Sequence, residues 1–171
     1  PSENDLDSYY KNVKNYLNSS NFEKDSDYWA DYILNSSDYI NFYNLKDKAC
    51  KNQIIKVNES SVLNFVKNHD CSIFDFYGSV FSLYLSRIDR IDGCLLKTII
   101  PGQKSEFDKN TLLKIDVNKH DLFNDLLMEF NSSFRDVINH TSTDVDNYLD
   151  KNVTYYSIYN FSEFNENIQV R

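Results

Sequence analysis

The 171-residue chain has a formal net charge of −8, 41 % hydrophobic residues, 15 % aromatic residues and only three glycines. That apolar content can bury a core, which excludes a disordered tail. The acidic balance argues against a nucleic-acid face, and no apolar run nears the roughly 18 residues of a membrane span.

Gly78, Gly93 and Gly102 lie too far apart for a phosphate-cradling loop. Cys50, Cys71 and Cys94 form no C-x-x-C pair, so neither a zinc knuckle nor a redox dithiol is expected. Reduced thiols in a cytoplasmic protein are the simplest expectation, because no basic-then-apolar leader opens the chain. His69, His120 and His140 show no H-E-x-x-H spacing, so no metal site is expected. His69 and His120 fall near helix ends and are expected to face solvent.

Leu6, Tyr9, Tyr10, Val13, Tyr16 and Leu17 recur at helical spacing. Ser20 with Glu23 reads as a capping box for a second helix holding Phe22, Tyr28, Trp29, Tyr32 and Ile33. Short strands are expected over Tyr39–Leu45 and Lys51–Val57. Asn58 reads as the cap of a helix with Val62, Leu63, Phe65 and Val66, broken at His69-Asp70. Ser72 caps the most apolar segment, Ile73 to Ile88, whose stripe extends nearly all round and predicts a buried central helix. Gly78 within it predicts close approach of a neighbouring element.

Cys94 to Ile100 reads as a buried strand bracketed by Gly93 and Pro101-Gly102. Leu112 to Val117 makes another strand. Asn118 with Asp121 resembles a capping box opening a long helix through Leu122, Leu126, Phe130, Phe134 and Ile138. A brief helix is expected over Asp144–Leu149, its Asp144, Asp146 and Asp150 forming a solvated face and no Ca²⁺ loop. Val153 to Phe161 alternates as a strand covered on both faces. The order predicts an α/β fold with a single mixed sheet flanked by helices.

Four stretches carry a family likeness. They are Asp25 leading over two spacers to Tyr28-Trp29; Ser72 to Leu83-Tyr84-Leu85-Ser86-Arg87; the helix from Leu122 ending at His140; and Tyr155-Tyr156-Ser157-Ile158-Tyr159-Asn160-Phe161. In this order they resemble the condensation domain of nonribosomal peptide synthetases, within the chloramphenicol-acetyltransferase-like superfamily. The catalytic signature of that family is His-His-x-x-x-Asp-Gly. It is not found here, and Arg90-Ile91-Asp92-Gly93 echoes only its last two letters. The Asn-Arg element and the Gly-x-Phe-Val-Asn-Thr stretch of the family shrink to Pro101–Asn110, and the Pro and Phe expected after His140 are missing.

The resemblance implies that residues 1–171 are one partial domain, the C-terminal subdomain, without the catalytic half and without the final strands. It implies one half of the superfamily fold, contributing tunnel wall and scaffold to amide formation between carrier-bound thioesters, with no catalytic residue of its own. His140, Ser157, Tyr159 and Asn160 are the substrate-tunnel candidates, Asn160 either as a donor to a carbonyl or phosphopantetheine arm or as a residue that caps or turns the chain before Phe161. For His140, the end of a helix also offers a structural role. Implied partners are the missing N-terminal subdomain, peptidyl carrier proteins bearing phosphopantetheine, and an adenylation domain. No cofactor is implied for this piece itself. A homodimer through an apolar face left uncovered is a further expectation. Two other readings stay open: a degenerate docking or scaffolding domain, and part of a CoA-dependent acyltransferase.

Overall fold

The computed structural model describes residues 3–36, 59–100, 109–140, 145 and 154–156. The expected strands at 39–45 and 51–57, the Asn58 cap, Cys50, the acidic residues 144, 146 and 150, and the end of the chain from Ser157 lie outside them.

The first two helices, α1 (Glu3–Leu17) and α2 (Ser20–Leu34), form where the apolar spacing placed them. The cap of α2 is Ser19 and not Ser20: the Ser19 hydroxyl accepts from the Phe22 N–H. Ser19 is the residue in extended backbone, which lets its side chain reach over the first turn.

Helix α3 (Glu59–Asn68) ends as expected, with Asp70 at a φ of 49°. Helix α4 (Ile73–Asp89) opens on a full capping box: Ser72 Oγ accepts from Asp75 N–H, and the Asp75 carboxylate accepts from Ser72 N–H. Asp75 is buried and also accepts from Asn131 Nδ2 at 2.9 Å, which ties the start of α4 to the next long helix. Arg90 ends α4 in the left-handed region.

Helix α4 departs from the all-round burial its composition predicts. Val80, Tyr84 and Ile88 are 41 %, 58 % and 53 % exposed, whereas Asp75, Ser79, Ser82 and Ser86 are the deeply buried residues. Each of these serines has a local acceptor: Ser79 donates to Asp75 O, Ser82 to Gly78 O and Ser86 to Ile91 O. Satisfied hydroxyls are inexpensive to bury, and their small size allows close packing.

Strands β1 (Gly93–Ile100) and β2 (Lys109–Asp116) pair antiparallel along their whole lengths, from Gly93↔Asp116 to Ile100↔Lys109. A short β3 (Thr154–Tyr155) pairs with β1 in parallel, giving the order β2-β1-β3. The sheet is therefore mixed, as the sequence predicts. Cys94, Leu95 and Leu96 are all buried, so β1 is covered on both faces.

The last helix, α5 (Phe123–Ile138), packs on β2 and α4. Its cap position is Leu122, with no side-chain bond, in place of the expected Asn118 box. Asn118 instead uses its N–H and Nδ2 to bind Asp92 O and Oδ1, each at 2.8 Å. It lies in the turn after β2, tied to Asp92 just before β1, and stands too early in the chain to cap α5. The main core joins Trp29, Leu85, the β1 and β2 side chains, Leu126, Phe130, Val137, Val145 and Tyr156.

Among the described residues no helix is long and apolar enough to cross a membrane. Within the same residues no group of three His, Cys, Asp or Glu side chains could hold a metal ion.

Candidate functional site

Of the four tunnel candidates, His140 is described; Ser157, Tyr159 and Asn160 lie outside the described residues. His140 follows the last turn of α5 and meets one face of α2. That face is built from Asp25, Tyr28, Trp29 and Tyr32, spaced three and four apart so that they stack on one side of the helix.

Asp25 is the centre of the polar contact. Its Oδ1 lies 2.8 Å from His140 Nδ1, and its Oδ2 accepts from the Tyr16 hydroxyl of α1 at 2.5 Å. The His140 ring stacks on Tyr28, with centroids 3.8 Å apart and planes 12° from parallel. Trp29, fully buried, donates its Nε1–H to the His140 carbonyl at 2.8 Å. That bond satisfies a carbonyl just past the end of α5. Tyr28 donates to Asp136 Oδ2 at 2.6 Å. Burial, and then the hydrogen bond to the Asp136 carboxylate, push the Tyr28 phenol well above its ordinary value.

Tyr32 extends the face toward the sheet. Its hydroxyl accepts from the Lys114 N–H of β2 at 2.7 Å. Because β2 lies at the edge of the described sheet, Tyr32 fills a position where a further strand would pair. Burial raises the Tyr32 phenol strongly, and the Lys114 N–H offsets part of that rise.

A carboxylate on Nδ1 is the arrangement that orients an imidazole for acid–base work, leaving Nε2 as the second nitrogen. Here the same ring is also held on its face by Tyr28 and through its backbone by Trp29. The arrangement joins α1, α2 and α5 at one point.

The other histidines are separate. His69 is exposed, stacked on Phe65 with Nδ1 2.9 Å from Phe65 O. His120 does not face solvent as expected. Its side chain is 17 % exposed, with Nε2 3.5 Å from Glu129 Oε2, because the turn at Asn118 brings it against α5. Cys94 is buried, and burial pushes its thiol up to about 12, against a smaller lowering by Ser82.

Asp25 was legible only as the acidic residue two spacers before Tyr28-Trp29; its pairing with His140, 115 residues away, was not. Neither Tyr16 nor Tyr32 carried any signal beyond helical periodicity.

No protein-family profile matches the chain, and no curated protein matches it in sequence. Solved structures do match. The first condensation domain of the CDA synthetase superposes with a TM-score of 0.72 at 9 % identity, covering 94 % of this chain and 42 % of that one. The starter condensation domain of the rhizomide synthetase RzmA, in a mutant form, gives 0.62 at 11 % identity, covering 88 % and 36 %. The X-domain from teicoplanin biosynthesis gives 0.62 at 8 % identity, covering 81 % and 34 %. The chain thus spans less than half the length of each of these structures. It has the fold of part of a condensation domain of the nonribosomal peptide synthetases.

Proposed function

We propose that this chain is the C-terminal-subdomain portion of a condensation domain, supplying tunnel wall and scaffold while the reacting histidine lies in another part of the polypeptide. The observation that carries the reading is the superposition at a TM-score of 0.72 over 94 % of this chain but only 42 % of the CDA synthetase domain. The complete domain would join carrier-bound acyl or aminoacyl thioesters by amide formation. Its partners would be peptidyl carrier proteins, whose phosphopantetheine arms deliver the substrates, and a neighbouring adenylation domain. His140 would act through its hold on α2, and the tunnel face would come from Ser157, Tyr159 and Asn160.

The test is reconstitution. The polypeptide containing this chain and a His-His-x-x-x-Asp-Gly segment is expected to form an amide product from two loaded carrier proteins, detected by intact-protein mass spectrometry. This chain alone is expected to form none. Amide product from the chain alone would overturn the division of labour.

One observation favours a second reading, a non-catalytic docking or scaffolding domain. β1 and β2 pair directly from end to end, with only residues 101–108 between them. The family pattern places longer elements there. This reading expects the whole gene product to lack the paired-histidine motif and still to bind carrier protein.

A further inference from the structure

We propose that a second copy of this chain covers the outer face of α4, the two helices packing antiparallel about Val80. The inference stands on α4 itself and does not rest on the enzymatic reading.

Helix α4 reverses the usual amphipathic order on its two sides. Asp75 and the three serines, its polar residues, are buried, whereas Val80, Tyr84 and Ile88 stand exposed. Spaced four apart, these three line one side of the helix. The half-buried Phe76 carries the stripe toward the start of α4. A continuous apolar stripe on an outer surface marks contact with another molecule.

Charge identifies that molecule as another copy. The chain carries a net −8, so two copies repel each other over most of their surfaces. Between Ile73 and Ile88 the one carboxylate is that of Asp75, and it is buried. The outer face of α4 is therefore a place where two copies approach without carboxylates facing each other.

The face is also complementary to itself across a two-fold axis. With the axis at Val80, Tyr84 of one copy meets Phe76 of the other, an aromatic pair formed twice. The same symmetry brings the exposed Arg90, at the end of α4, toward the exposed Asp70, just before its start, again twice. A parallel pair would set Arg90 against Arg90 and Asp70 against Asp70. The antiparallel pair also places each positive helix start beside a negative helix end. Seventeen residues make a contact about 25 Å long. Two helices meeting along that length bury less than the ~1,200 Å² of a standard interface, so the dimer is weak and reversible.

The test is sedimentation velocity of the full chain from dilute to concentrated solution. Wild type is expected to pass from monomer to dimer as concentration rises. Tyr84→Glu, at an exposed position, is expected to keep the far-ultraviolet circular dichroism of wild type and to weaken association at least about tenfold, because it sets carboxylates into the contact. Arg90→Asp is expected to weaken association about fivefold, from two surface ion pairs lost together. Adding Asp70→Arg exchanges the two residues and is expected to restore it. Both positions have left-handed backbone, so each residue enters a conformation the other already adopts. A monomer at the highest concentration would overturn the proposal and leave the face to a different partner. Undiminished association of Tyr84→Glu, or no recovery in the exchanged pair, would overturn it as well.

Discussion

The ring of Phe130 occupies the space where a side chain on Gly78 would begin: a Cβ there would stand 2.1 Å from Phe130 Cζ. Helix α5 thus lies directly against the backbone of α4, and Gly78 is required for space and not for an unusual φ. Alanine would gain about 1 kcal/mol of helix propensity. The overlap with a fully buried ring costs more, typically 1–3 kcal/mol. Gly78→Ala is expected to lose about 1–2 kcal/mol net in urea unfolding. Adding Phe130→Leu should give a double-variant loss smaller than the sum of the two single losses, because the truncated side chain makes room.

The Asp75 carboxylate serves two helices at once. Ser72→Ala removes one cap bond and is expected to cost about 1 kcal/mol. Asp75→Ala also strands the Ser72 N–H and Asn131 Nδ2, so a loss of about 2–3 kcal/mol is expected. Urea midpoints of the two variants check the order. Equal losses would mean that the link from Asp75 to α5 contributes nothing.

Trp29→Phe keeps an apolar ring in the core but deletes the bond to the His140 carbonyl. With the lost volume, the expected cost is about 2 kcal/mol, read by thermal melting followed in the far ultraviolet. A cost as small as that of an exposed substitution would show that Trp29 is not seated as described.

The Cys94 thiol, raised by burial from 9 to about 12, is protonated in the fold at pH values where the unfolded chain would ionise. Its contribution is therefore complete below about pH 9 and is lost as the pH rises through about 12. Two outcomes follow. Peptide-resolved alkylation at pH 8 should leave Cys94 unmodified until the chain is unfolded. Replacing it by alanine should flatten part of the fall in stability between pH 9 and 11 relative to wild type. Rapid native alkylation of Cys94 would contradict its burial.

The amino-acid order by itself determined the helices, the two long strands, the cap at Ser72 and the mixed α/β class. These follow from local apolar periodicity and cap chemistry, which need no distant partner. The family likeness was legible too, through the order of four loosely matching stretches, and the superpositions agree with it in fold. The sequence misled where a local pattern had a competing use. Asn118 looked like a cap but ties the end of β2 to Asp92 before β1, and Ser20 yields its cap role to Ser19. The aromatic breadth of α4 suggested burial all round, although its deepest face is serine. Burial of hydroxyls depends on whether a backbone carbonyl stands within reach and how closely a neighbour packs, and hydrophobicity measures neither. Only the tertiary structure joined Asp25 to His140, Tyr32 to Lys114 and Gly78 to Phe130. Each pair lies dozens of residues apart in the chain, and contacts across such distances are set by how helices seat on a sheet, not by spacing along the sequence.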